Sequence, residues 1–263
     1  MTHADRERRV LDAVVSLVDS LLDDFDVVDL LTQLTERCAE LLDVDSAGLL
    51  LAGPRRRLQV MAATSRRTHA LELFQLQSDE GPCLDCHATG EPVSVSDLAV
   101  EPERWPRFAD AADSAGFVSV HALPMRAAGT VLGALGLFGT TPGELNAADR
   151  VVGQTLAHVA TVVILQEHPP RPDTVLPHLH TVLASRVVVE QAKGFVHERL
   201  GVPIVEAFAL LRAHGHRTGS HLTDVARQLI SDPDARPSIL AGLAQLAADD
   251  DRVAARAGTH SAL

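Results

Sequence analysis

Three prolines in four residues, Pro169, Pro170 and Pro172, sit inside the segment Glu167-His168-Pro169-Pro170-Arg171-Pro172-Asp173. A proline ring fixes φ, removes a backbone donor and crowds the preceding turn, so no helix continues through this segment and extended geometry is favoured. At 263 residues the chain is long enough for two domains, each with its own core. The break therefore separates residues 10–167 from a second domain at 174–232, with a Pro-rich linker at 168–173. A further break, Asp232-Pro233-Asp234-Ala235-Arg236-Pro237, closes the second domain. The tail, residues 233–263, is expected to be mostly disordered apart from a short amphipathic helix over 238–248.

Before the linker the pattern is α+β. Helical apolar spacing runs over residues 5–22 and 26–42, and Asp26 stands where it can cap the second helix. Residues 47–52 and 58–63 read as a strand hairpin, and a helix-like stretch over 68–77 and a Gly/Pro/Cys loop follow. After a short strand at 93–95, a helix starts near Arg107 and ends at Gly116. A second hairpin, 118–125 and 130–138, turns at Ala127-Ala128-Gly129, and a long helix over 147–166 returns to the linker. Two hairpins with an irregular insertion between flanking helices describe an antiparallel sheet packed with helices.

This part of the chain resembles a GAF domain, a sensor fold. The resemblance rests on Glu80-Gly81-Pro82-Cys83-Leu84-Asp85, Gly90-Glu91-Pro92-Val93, Asp97-Leu98, Trp105-Pro106-Arg107-Phe108, Gly116-Phe117 and Leu132-Gly133-Ala134-Leu135-Gly136-Leu137-Phe138, in that order. It implies sensing of a small molecule or of redox state without chemistry of its own, at a pocket between the sheet and residues 76–117.

Cys83-Leu84-Asp85-Cys86-His87 invites sharper readings. The spacing matches covalent haem attachment, which requires export, and no signal-peptide pattern opens the chain. A zinc site needs four ligands, and Cys83, Cys86 and His87 supply three unless Cys38 joins them. Cys83 and Cys86 near a helix start can also form a redox pair, because a helix N-terminus lowers a thiol pKa. Against these stands plain packing, with Cys83 a small core residue and Cys86, a departure from the family pattern, incidental. No metal site and no cofactor are expected, and no nucleotide-loop, nucleophile-elbow or metalloprotease motif points to an enzyme. The three cysteines, an odd number, suit a reducing compartment, and no run of about 20 apolar residues marks a membrane span. The expected location is the cytoplasm.

The net charge of -12 disfavours nucleic acid for the chain as a whole, but six Lys/Arg against four Asp/Glu in 174–231 give that segment +2 and leave -14 elsewhere. Residues 176–200 read as one long helix, with Asp173 or Thr174 as cap and Pro177 in its first turn. Two shorter helices follow, one after Pro203 and one over 222–230 capped by Ser220, making a three-helix bundle with a long first helix. At about 100° per residue, Leu176, Leu179, Leu183 and Val187 share one face of the long helix, whereas Val188, Val189, Ala192, Phe195, Val196 and Leu200 lie nearly opposite. The bundle core takes the second face, leaving the first as a stripe for a homodimer.

Here the chain is similar to an ANTAR domain, the RNA-binding module of transcription antitermination regulators. The residues that carry the likeness are Arg186, Val189-Glu190-Gln191-Ala192-Lys193-Gly194, Glu206-Ala207-Phe208, Leu211-Arg212 and Leu222-Thr223-Asp224-Val225-Ala226. It implies binding to a leader RNA with paired hairpins that keeps a terminator from forming. Gly215 departs from the usual Ala, and at about 1 kcal/mol for a mid-helix glycine it is expected to fray the second helix. Independently, Arg186, Lys193 and His197 share one helix edge, Gly194 beside them lets a backbone or base approach, and Gln191, Arg212 and Arg217 extend the face. Two other readings stay open. One is a DNA-binding helix-turn-helix reading bases through His221, Thr223, Asp224, Arg227 and Gln228. The other is a ligand or redox sensor whose tail makes only protein contacts.

Overall fold

The computed structural model describes residues 3–22, 25–53, 57–100, 103–166 and 175–260. Its contacts divide the chain into two compact units, 1–183 and 184–263.

The first unit opens with α1 (His3–Leu22) and α2 (Val27–Leu41). Asp26 caps α2 as its position predicts: Oδ1 accepts hydrogen bonds from the backbone N of Val28 at 2.9 Å and of Asp29 at 3.0 Å. Strands β1 (Ser46–Ala52) and β2 (Leu58–Ala63) follow, then α3 (Arg66–Ser78), α4 (Pro82–Thr89), β3 (Val93–Val95) and α5 (Pro106–Ser114). The segment read as a Gly/Pro/Cys loop is thus largely the helix α4. Gly81 at φ 146° turns the chain, and Pro82 occupies the first helical turn, where its missing N–H costs nothing. Strands β4 (Ser119–Ala127) and β5 (Thr130–Gly139) and helix α6 (Ala147–Gln166) complete the unit.

The five strands form one antiparallel sheet in the order β2-β1-β5-β4-β3. The β4–β5 hairpin closes through Ala128 (φ 48°) and Gly129 (φ 76°), the two left-handed residues that a tight hairpin turn demands. Helices α2 and α6 cover one face and α3 and α4 the other, so β1 is buried along its whole length. Among the described residues one stretch, Ala147–Leu165 of α6, is long and apolar enough to cross a membrane. In this fold it is a core helix, with Leu156, Ala157, Ala160, Val163 and Ile164 fully buried.

Helix α7 (Val175–Leu200) leads into α8 (Ile204–Thr218), α9 (Leu222–Ser231) and α10 (Arg236–His260). Ser185, Val189, Ala192 and Val196 form the buried seam of α7 within the second unit, meeting Ala207, Leu210 and Leu211 of α8 and Leu222, Val225, Ala226 and Leu229 of α9 in a common core. The expected short helix over 238–248 is part of α10, which packs on α8 and α9 with Ile239 and Leu243 buried. Gly215 does not fray α8. A Cβ there would lie 2.8 Å from the carbonyl of Ser220, whose own N–H donates to Gly215 O at 2.9 Å, so glycine admits the chain that turns back after the helix. That turn also explains why Ser220 is not the cap of α9; His221 holds the position, without a side-chain capping bond.

Candidate functional site

Three of the cations singled out in the sequence stand on α7 and α8: Arg186, Lys193 and Arg212. Glu190 links two of them. Both of its oxygens accept from Lys193 Nζ at 3.0 Å, and Oε1 lies 3.4 Å from Arg186 Nη2. Only 14% of the Arg186 side chain and 17% of the Lys193 side chain are exposed, against 43% for Glu190. Burial draws the Arg186 guanidinium below its ordinary pKa and Glu190 opposes this; an arginine stays charged regardless. Lys193 Nζ lies 5.5 Å from the centre of the Phe208 ring and Arg212 Cζ lies 5.8 Å from it, both within cation–π range. Phe208, one of the residues that carry the likeness to the ANTAR domain, is half-buried beside both.

The remaining predicted residues divide. Gln191 is exposed on α7, and a Cβ built on Gly194 would meet nothing within 4 Å. His197 is exposed, with Nδ1 2.6 Å from the carbonyl of Val202. Arg217 does not join this group. Five residues after Arg212, it is turned about 140° round the helix, and its Nη2 donates to the carbonyl of Gly242 on α10 at 3.0 Å. Of the proposed stripe, Leu183 is 5% and Val187 51% exposed; the side chains of Leu176 and Leu179 lie outside the described residues, as do Asp173 and Thr174. On α9, Thr223 is buried and Arg227 pairs with Asp224 at 2.6 Å.

In the first unit α3 and α4 lie against the sheet beside two glycines. Gly48 of β1 and Gly136 of β5 are cross-strand partners, and a Cβ on either would come within 2.5 or 2.7 Å of Glu72 Oε1. Into that gap α3 places the fully buried Glu72 carboxyl, which accepts a bond from Gln75 Nε2 and from the Cys83 thiol, the latter at 3.9 Å. Burial lifts Glu72 from 4.5 to about 8, the bonds from Gln75 and Cys83 opposing, so it is mainly protonated at neutral pH. Cys83 and Cys86 are both fully buried. Burial first, and then the nearby Glu72, raise the Cys83 thiol well above its ordinary value, and burial pushes Cys86 up to about 12. Neither thiol has the exposed, electropositive setting that favours a thiolate. Cys38, on α2, packs on the opposite face of the sheet from α4. His121 is buried, its Nδ1 2.5 Å from Ser94 Oγ.

Residues 26–165 match the family model of the GAF domain, and residues 178–230 match that of the ANTAR domain. No curated protein matches the chain. Similar solved structures include the GAF domain of a phosphoenolpyruvate-protein phosphotransferase from Acinetobacter, 18% identical over 66% of this chain and 100% of that one, with a TM-score of 0.49. The corresponding domain from Coxiella burnetii is 17% identical over 60% and 93%, with a TM-score of 0.48. Free methionine-R-sulfoxide reductase from Neisseria meningitidis, solved with its substrate, is 18% identical over 60% and 89%, with a TM-score of 0.47.

A five-stranded antiparallel sheet with helices on both faces, matched over more than half of the chain, defines a sensor-domain protein: the chain belongs to the GAF family. With the ANTAR domain behind that sensor, its architecture is that of a GAF–ANTAR regulator.

Proposed function

We propose that the protein is an RNA-binding transcription antitermination regulator. Its second domain binds a leader RNA carrying two hairpins and prevents a terminator from forming, and its GAF domain controls that binding without catalysing a reaction. The observation that carries the reading is the ANTAR match coinciding with Lys193 and Arg212 beside the Phe208 ring, Arg186 joined to Lys193 through Glu190, and the open position at Gly194. Cations held near a half-buried ring, with clear helix surface next to them, suit unstacked loop bases and their phosphates. The active species in this reading is a cytoplasmic homodimer joined through Leu176, Leu179, Leu183 and Val187. Two modules held together engage two hairpins with a gain in effective concentration. The GAF signal is a small molecule in this account, and Cys83 and Cys86 are packing residues.

Lys193→Ala tests the reading. It removes a cation but no residue of the buried seam, so affinity for a two-hairpin RNA should fall while helicity stays constant. Wild-type binding should also weaken as salt rises and phosphate counterions are released. Unchanged RNA affinity in Lys193→Ala would overturn the assignment of the face.

A further inference from the structure

Of Gly194, Gly201, Gly215, Gly219 and Gly242 in the second unit, all but one have a reason within the chain. Gly201 and Gly219 adopt φ of 69° and 65°, Gly215 faces the Ser220 carbonyl, and a Cβ on Gly242 would lie 2.5 Å from His214 Cε1. Gly194 has none. It sits in the middle of α7 in helical conformation, where glycine is disfavoured, and nothing approaches its missing side chain. The space it leaves is therefore space for something outside the chain.

One turn before Gly194 on the same surface stands Glu190, an acidic group in the midst of a face read as RNA-binding. Its carboxylate is not free to turn. Lys193 holds both oxygens at 3.0 Å and Arg186 flanks one at 3.4 Å, yet 43% of the side chain remains exposed. Two cations beside one carboxylate leave the trio net positive, so it does not repel phosphate. An ionised carboxylate only accepts hydrogen bonds, through two adjacent oxygens. Among the RNA bases, guanine alone presents two adjacent N–H donors on its Watson–Crick edge, at N1 and N2. Adenine and cytosine set a single amino group beside an acceptor nitrogen, which would face the second carboxylate oxygen lone pair to lone pair. Uracil sets one imino group between two acceptors.

We infer that Glu190 is a specificity-determining residue, reading an unpaired guanine that enters the opening at Gly194, with Lys193 and Arg186 positioning its carboxylate. The inference rests on the RNA-binding reading above.

The test uses the full chain and a library of two-hairpin RNAs with randomised loops. Wild type should enrich a guanine at one loop position. Replacing that base by inosine, which lacks the N2 amino group, should weaken binding by roughly fivefold to a hundredfold, the range of one lost bidentate base contact. Glu190→Gln keeps the shape but offers only one acceptor; with an unchanged circular dichroism spectrum it should bind the guanine and inosine RNAs alike. Guanine preference retained in Glu190→Gln, or wild-type binding without any guanine preference, overturns the inference alone. Binding of no RNA in the library overturns the RNA-binding reading and the inference with it. Conversion of Glu190→Gln to a monomer with unchanged loop selection would assign the opening to a partner helix, and also overturns the inference.

Discussion

The backbone N–H of Phe108 donates a 2.8 Å hydrogen bond to Oε1 of Glu80, 28 residues earlier in the chain. Arg107 Nε donates to the other oxygen at 3.3 Å, and Arg107 Nη2 donates to the carbonyl of Ser78. Two motifs of the GAF pattern, Glu80-Gly81-Pro82-Cys83 and Trp105-Pro106-Arg107-Phe108, are therefore halves of one clamp. An acid at the start of a helix satisfies backbone donors that the helix itself leaves unpaired. Here Glu80 serves α5 from a distance and fixes the turn that leads into α4.

Glu80→Ala should release that clamp. The urea midpoint is expected to fall with an unchanged slope, and the Phe108 amide should exchange its hydrogen faster than in wild type. A Phe108 amide as protected as before would show that the start of α5 is held by other means.

Glu72 gives a pH signature. Its folded pKa of about 8 lies above its ordinary 4.5, so the folded state retains a proton that the unfolded state gives up. Its contribution is intact below about pH 4.5 and erodes as pH rises towards 8, where ionisation would strand a buried charge. Glu72→Gln should melt a few degrees higher than wild type at pH 8 to 9 and lose that advantage near pH 5. An equal melting temperature across that range would contradict the buried, protonated carboxyl.

Buried, protonated thiols should react slowly. In native protein Cys83 and Cys86 are expected to resist alkylation at neutral pH and to label quickly in denaturant. Mild oxidation should leave RNA affinity unchanged. A change in affinity that Cys86→Ser abolishes would instead make the two cysteines a redox pair.

Two glycines of the second unit should behave oppositely. Gly194→Ala should stabilise the domain by about 0.5–1 kcal/mol, the helix preference of alanine over glycine, and should weaken RNA binding. Gly242→Ala drives a methyl into the His214 ring and should destabilise it by about 1–3 kcal/mol. Thermal melts and RNA titrations of both variants check this pair. Gly194→Ala that binds RNA at full strength would leave the open position without a role.

The dimer is tested by Leu179→Glu with Leu183→Glu. Sedimentation should report a monomer, and RNA binding should weaken. Stronger RNA binding without loss of mass would instead mean that the stripe holds the domain inactive.

These outcomes bear on residues that the sequence revealed unevenly. Periodicity located every strand and most helices, because an element that buries one face or two must write that face into its spacing. The cap at Asp26 and the hairpin turn at Ala128-Gly129 were legible because each is a local backbone requirement. Helix α4, of only eight residues, carries too few turns to show a period between its Gly/Pro start and Gly90. The persistence of α10 depends on surfaces of α8 and α9 that spacing does not reveal, and on Arg236, whose guanidinium donates to the carbonyls of Leu229 and Ile230 at 2.8 Å each. Gly215 looked like a helix defect because the turn that needs it lies five residues on. Arg186 and Lys193 could be placed on one edge by counting, whereas the carboxylate between them and the ring beneath Lys193 and Arg212 emerged only once side chains were set in space. Arg217 shows the limit of grouping charges by type, since its partner is a backbone carbonyl of α10. Two strand glycines, Gly48 and Gly136, are the trace that the buried Glu72 leaves in the sequence, but strand register is needed to bring them together.

The central claim is that the second domain binds RNA through the Arg186, Lys193 and Gly194 face of α7. Titrating the full chain side by side against a two-hairpin leader RNA and a DNA duplex of similar length at one fixed salt concentration tests it most directly. The account expects tight binding to the RNA, lost on melting or deleting its hairpins, and only weak, salt-sensitive binding to the duplex. Binding to the duplex as tight as to the RNA, or binding to neither, would contradict it.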